Sequence, residues 1–497
     1  MKIYAPNIHL FAFQLYKAAN FHQDLTKDDI QLWHDANDII KTTLKKSFNL
    51  TESIVNISDE PKGSRVDLIK PSKVEEDDYS IDFEGTFKDK NHTHNQELLI
   101  QGFVNPIKIQ DSYGLWLNLR RPEKEANNTT QTKEVDISLL SKFNPNNCLT
   151  LNKQDKKDKQ DKKDESHNLF LGQTLLITAW ITQKDKLDGT NPYDIAQKCL
   201  AEIFSDTDNK PEFNRQGNLF GSPIFEYGLF SQSDDYQHVI IWLFRNNQPD
   251  KNFNKCYQQL FDLFFFRSKV VKAFQDSRQS YHRITVVYDE IESIIKNIKS
   301  NAKSDNLTTK ILNQLTNTLK DLSQKSLEYT RLLRNLKDYQ NTIDINRNNY
   351  REKLRQIAAA TQDDNLTILQ TFYKQDCQRF YKQINADIGY FEQGSNLLEQ
   401  ATASIRGIVE IEQTKRDRTL NTTINTIGIG FGGGAIISGV VTQHSGIVVK
   451  QIEKIKQPVD LSLLFDKPLH PFYASLFISI AATLFFTLIG CLISRRK

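Results

Sequence analysis

Two side-chain amides four residues apart, Asn421 and Asn425, open an otherwise apolar stretch, and Thr422 and Thr426 repeat the spacing. On a helix they share one face. In a symmetric assembly a ring of amides can hold a hydrated cation, so the two asparagines are candidate pore-lining residues. In the headgroup region of a membrane the same amides would do no more than bond water. Just beyond them, Gly428, Gly430, Gly432, Gly434 and Ser438 recur at intervals of four (Gly428/Gly432, Gly430/Gly434/Ser438). In lipid this spacing lets helix backbones approach closely, which makes these residues candidates for helix packing, within one chain or between copies. A phosphate-binding turn does not fit the same glycines, because no strand precedes them and no basic residue follows closely.

Other residues with chemical potential lack the company that chemistry needs. Glu75 to Asp78 are four adjacent carboxylates without the alternating ligands of a calcium loop. His92 and His94 have no third ligand in view. The five cysteines stand singly, as free thiols would in a reducing compartment. No nucleophile elbow, HExxH, P-loop, kinase signature or paired Cys/His ligand set occurs, so the reading is of a chain that is not an enzyme and uses no cofactor or resident metal. A net charge of +3, from 64 basic and 61 acidic residues, gives no reason to expect nucleic acid as a partner.

The elements that would position the amides and glycines lie at the C-terminal end. Thr419 to Val449 holds no Lys, Arg, Asp or Glu, and Pro471 to Ser494 is likewise uncharged, with four phenylalanines, before Arg495, Arg496 and Lys497. A helix rises about 1.5 Å per residue and must cross about 30 Å of hydrocarbon, so each stretch is long enough. The expectation is a two-helix transmembrane hairpin, about 421–442 and 471–494. Lys415, Arg416 and Arg418 on one side and Arg495 to Lys497 on the other would keep both termini in the cytoplasm, with the chain integral to the inner or plasma membrane. The N-terminus has no signal-peptide pattern: Ile8 to Leu15 is interrupted by His9 and Gln14.

Ahead of that hairpin, no proline occurs between Pro249 and Pro458 and no glycine between Gly228 and Gly389, which implies long helices. Leu315, Leu322, Tyr329, Leu336, Ile343, Tyr350 and Ile357 repeat every seven residues. That seam suits either a coiled coil between subunits or an amphipathic helix in a bundle. Breaks near Ser300 to Asn306 and Thr361 to Asn365 divide the region into about 255–300, 306–360 and 363–418. Residues 1–248 read as an α+β or α/β cytoplasmic domain. It would have a helix over Thr26 to Phe48, another over Asn191 to Phe204, and strands at Val66 to Ile69, Tyr79 to Phe87, Glu97 to Val104, Leu115 to Leu119, Thr174 to Ile181, Ile224 to Phe230 and His238 to Phe244. The charged run Lys153 to Glu165 marks a disordered insertion near 153–167. The three parts expected are thus this domain, a helical stalk over 249–418, and the membrane part over 419–497.

This order of body, helical pieces, long helix into a first span, second span and basic tail Arg495-Arg496-Lys497 resembles the CorA-type magnesium transporters, best over Asn252 to Lys497. The resemblance implies a homo-oligomeric cation channel or transporter gated by its cytoplasmic domain, with the bilayer, further copies of the chain and a divalent cation as partners. The Gly-Met-Asn that defines the family is absent, since Ser438 to Thr442 reads SGVVT and the sole methionine is Met1. Only topology and self-association are therefore implied, and no site residue. The alternative expectation is a membrane-anchored sensor, scaffold or effector without transport activity.

Overall fold

Lys2–Leu15 forms a strand, β1, whose side chains are buried on both sides: Ile8, Leu10 and Ala12 on one, His9, Phe11 and Phe13 on the other. A strand covered on both faces belongs at the centre of a sheet, and its sequence is a continuous apolar run rather than an alternation. The computed structural model describes residues 1–16, 30–55, 63–73, 80–88, 97–125, 130–151, 169–204, 210–230, 236–301 and 309–416. After β1 come α1 (Gln31–Leu44), β2 (Arg65–Asp67), β3 (Ile81–Lys88), β4 (Glu97–Ile109), β5 (Ser112–Arg120), β6 (Val135–Asp136) and α2 (Leu140–Phe143). There follow β7 (Phe170–Ile181), α3 (Gln183–Leu187), α4 (Pro192–Ile203), β8 (Phe213–Leu219), β9 (Ser222–Tyr227) and β10 (His238–Phe244). Four helices complete the described chain: α5 (Gln248–Asn301), α6 (Thr309–Thr361), α7 (Thr367–Thr371) and α8 (Cys377–Arg416).

The strands make one sheet in the order β2-β4-β5-β1-β7-β10-β9-β8, with β3 also on β4 and β6 also on β1. Every pairing is antiparallel except β7 with β10. A parallel pair needs a long crossover, and here it contains α3, α4 and the β8–β9 hairpin. That hairpin closes on Phe220 and Gly221, both at positive φ, the geometry that matches strand twist. Asn191 caps α4 by accepting from Tyr193 N at 3.1 Å, and Pro192 fills the first turn, where a missing N–H costs nothing.

The two faces of the sheet differ in chemistry. Ile8, Leu10, Leu115, Leu117, Leu175, Ile177, Val239 and Ile241 make one face wholly apolar, packed with Trp33 and Ile40 of α1, Phe143 of α2 and Ile195 and Leu200 of α4. The opposite face mixes rings with polar groups and is covered by α5. Phe11 and Phe13 meet Phe261 at 5.9 and 5.1 Å between centroids, and Trp116 meets Tyr257 at 5.4 Å. Phe261 seats closely because Gly114 of β5 lies beneath it, where a Cβ would come within 2.6 Å of its ring.

The chain divides into two compact units, Met1–Thr285 with Arg331–Glu392, and Val286–Thr330 with Gln393–Lys497. Within the second, Val287, Ile291, Leu315, Leu322, Leu398, Ile405 and Val409 are buried, and a Cβ at Gly394 would collide with the ring of Tyr288 and the hydroxyl of Tyr329. All seven residues of the heptad seam are buried within a single copy of the chain.

The expected fold class needs correction. Among the described residues no helix is long and apolar enough to cross a membrane. The helices α5, α6 and α8, of 54, 53 and 40 residues, have the length, but charged residues recur along each of them. Both expected spans, 421–442 and 471–494, lie outside the described residues. Among the described residues the architecture is an N-terminal mixed-sheet domain with long helices, and the expected two-helix transmembrane hairpin is not among them.

Candidate functional site

The sheet face under α5 carries the densest chemistry among the described residues. Glu226 of β9 and His238 of β10 stand beside Arg215 of β8, and α5 lowers Arg267 onto them from above. Arg267 is 3% exposed, and its guanidinium is held through Nε and Nη2. Nη2 donates to Glu226 Oε1 and to Tyr236 Oη, each at 2.8 Å, and Nε donates to His238 Nδ1 at 3.2 Å. Its flat faces rest on Phe372, 4.2 Å from carbon to ring centroid, and on Phe230 at 5.2 Å. A buried guanidinium held by both its edge and its faces meets the conditions under which a charge tolerates desolvation.

Arg215 extends the cluster to the helices. Its Nε lies 3.1 Å from Glu226 Oε2, an ion pair without hydrogen-bond alignment, and Nη2 bonds Asp376 Oδ2. Asp376 ends a π-helical turn, Phe372–Asp376, closed by Cys377 N donating to Phe372 O. Such a turn breaks the usual four-residue hydrogen-bond pattern. Four arginines from four elements converge on these five residues: Arg267 of α5 on the ring of Phe372, Arg347 of α6 donating through Nε to Tyr373 O at 3.4 Å, Arg215 of β8 on Asp376 Oδ2, and Arg379 of α8 donating through Nη2 to Asp376 Oδ1 at 3.4 Å. The turn is where sheet and helices are pinned together.

The electrostatics follow from this packing. Burial alone would raise the Glu226 carboxyl, but Arg267, His238 and Arg215 hold it down at about 2. Burial lowers His238 to about 4, Arg267 adds to that, and Glu226 opposes it. Tyr236 is pushed up to about 12 by burial, with Arg267 opposing. The neighbouring Cys377 thiol also rises to about 12 through burial, so it stays protonated and is a poor nucleophile at neutral pH. The charges of the cluster are thus satisfied by one another: Glu226 by Arg267, His238 and Arg215, and Asp376 by Arg215. Two smaller clamps repeat the theme. Asp262 of α5 takes Arg65 of β2 and Lys353 of α6, the latter at 3.0 Å, and Arg278 of α5 takes Asp387 of α8.

None of the residues singled out from the sequence falls in this cluster. Asn421, Asn425, Gly428, Gly430, Gly432, Gly434 and Ser438 lie outside the described residues, as do Glu75 to Asp78, His92 and His94. Among the described residues no group of three or more His, Cys, Asp or Glu is placed to hold a metal ion. Sequence reasoning missed Arg215, Glu226, His238, Arg267 and Asp376. One local signal was present, a charge inside an apolar run: Arg267 follows Leu263-Phe264-Phe265-Phe266, and Glu226 sits between Phe225 and Tyr227. A charge in such a run must be paired if the run is buried.

Comparison of the chain with protein-family models, with curated proteins and with solved structures finds no match.

Proposed function

We propose that this chain is a sensor or scaffold held at a lipid bilayer, and that it does not conduct ions. The observation supporting this is the fate of the heptad seam. Leu315, Leu322, Tyr329, Leu336, Ile343, Tyr350 and Ile357 are each buried within one copy. A CorA-like channel draws on its long helices to pack copies around a pore, whereas here the seam is spent inside the chain. The buried arginine cluster points the same way, because within the first unit it ties residues 248–285 of α5, residues 331–361 of α6 and the π-turn to the sheet. The uncharged stretches from Thr419 to Val449 and from Pro471 to Ser494 supply the affinity for lipid. In this reading Asn421 and Asn425 bond headgroup water rather than an ion.

The test is made on the full-length chain in native membranes and in proteoliposomes. The protein is expected to stay with the membrane pellet after alkaline carbonate extraction, and vesicles containing it are expected to show no flux of magnesium, potassium or sodium above protein-free vesicles. Release by carbonate would remove the bilayer from the proposal. Cation flux that disappears when Asn421 and Asn425 are both changed to Leu would replace it with a channel.

A further inference from the structure

His9 and His238 occupy the same face of the sheet, both beneath α5 and both 3% exposed. Each accepts a hydrogen bond at Nδ1 from a group that can only donate. Trp116 Nε1 donates to His9 Nδ1 at 3.1 Å, with Asn118 Nδ2 a second contact at 3.1 Å. Arg267 Nε donates to His238 Nδ1 at 3.2 Å, and Thr174 Oγ1 lies 2.8 Å from the same nitrogen. Because indole and guanidinium have no acceptor, both rings must be neutral with the proton on Nε2. A second proton would have to enter at Nδ1 and would set N–H against N–H.

We infer that this face is an acid-sensitive latch, in which protonation of His9 and His238 releases the first half of α5 from the sheet while the opposite, apolar face stays packed.

The surroundings of each ring decide how it responds. His9 faces Trp116 and Asn118 of β5 and Phe253 of α5, the last 5.1 Å between centroids, and the charge acting on it is Arg120 of β5. Among the described residues no carboxylate compensates it, and burial followed by Arg120 brings it down to about 3. His238 faces Glu226 of β9, Arg215 of β8 and Arg267 of α5. Behind these lie Tyr236, Asp376 of the π-turn and Tyr350 of α6, each acting on Arg267. Its Nε2 lies 3.4 Å from Glu226 Oε1, so a protonated His238 competes with Arg267 for that carboxylate while losing the Arg267 bond. The displaced cation belongs to α5, which is the element set free.

The sign of the effect follows from proton uptake. Both rings titrate below the ordinary histidine value of 6.5 while α5 is seated, so the released state binds more protons. Seating is full above about pH 6.5 and weakens as pH falls toward 4. Glu226, at about 2, stays ionised throughout this window. On the opposite face, α1 packs through Trp33, Ala36 and Ile40, which do not titrate.

Hydrogen exchange on the full-length detergent-solubilised protein tests the latch, expressed as protection factors so that slower intrinsic exchange in acid is removed. Between pH 7 and 4, peptides covering residues 253–267 are expected to lose about tenfold or more in protection, while those covering Gln31–Leu44 keep theirs. A double variant, His9→Asn with His238→Asn, keeps an acceptor in place of each Nδ1 and is expected to retain the α5 protection at pH 4. Simultaneous loss from both sets of peptides, or acid loss in the double variant at the wild-type pH, would overturn the inference. Should the double variant not fold, the order of loss in the wild-type protein decides alone.

Discussion

Replacing Arg267 with Met is expected to destabilise the sheet unit by about 3–5 kcal/mol, because it leaves Glu226 ionised, buried and without its principal partner. Glu226 is 6% exposed, and the remaining cation beside it, Arg215, is shared with Asp376. The loss also strips the cation from Phe372 and Phe230 and the donor from Tyr236. The measurement is denaturant unfolding followed by tryptophan fluorescence. All four tryptophans, Trp33, Trp116, Trp180 and Trp242, lie in that unit, so the signal reports its unfolding. Adding Glu226→Gln to the Met variant is expected to recover part of the loss, since a neutral amide no longer carries a buried charge. A loss below about 1 kcal/mol, or no recovery, would mean that the cluster is not what holds α5 down.

Phe261→Ala is expected to cost about 3–5 kcal/mol, the usual range for deleting a fully buried ring. Phe261 is 0% exposed, lies edge-on to Phe13 and Phe11, and is covered on one face by Arg65, 5.1 Å from its centroid. Its seat depends on Gly114, so Gly114→Val is expected to be destabilising by about 1–3 kcal/mol or more through overpacking. The two changes are not independent. With Phe261 gone the valine has room, and the double variant should be more stable than the sum of the single losses predicts. Additive losses would show that helix and strand do not meet at Gly114 as described.

These contacts also show which parts of the fold the sequence revealed. Strand β10 spans His238–Phe244, the bounds that its apolar run had suggested, and the seven-residue spacing from Leu315 to Ile357 does mark a buried seam. Strand β1 escaped notice because its central position buries both of its faces, which removes the alternation that identifies a half-exposed strand. Strand β8, FNRQGNL, was too polar to register, and it is held by its hairpin with β9 rather than by its own apolar content. The arginine cluster was invisible for another reason. Arg215 and Asp376 are 161 residues apart, and Glu226 and Arg267 are 41 apart, so nothing local pairs them. A charge among phenylalanines announces that a partner exists without naming it. The candidate pore and packing residues, from Asn421 to Ser438, rest on spacing alone.

The measurement that bears most directly on the proposed function is the subunit number of the full-length protein in detergent, by light scattering corrected for bound detergent. If the long helices spend their apolar seam inside each chain, the protein should be a monomer or at most a dimer. A ring of about five copies would contradict the account, since a closed cyclic assembly is what a CorA-like pore requires.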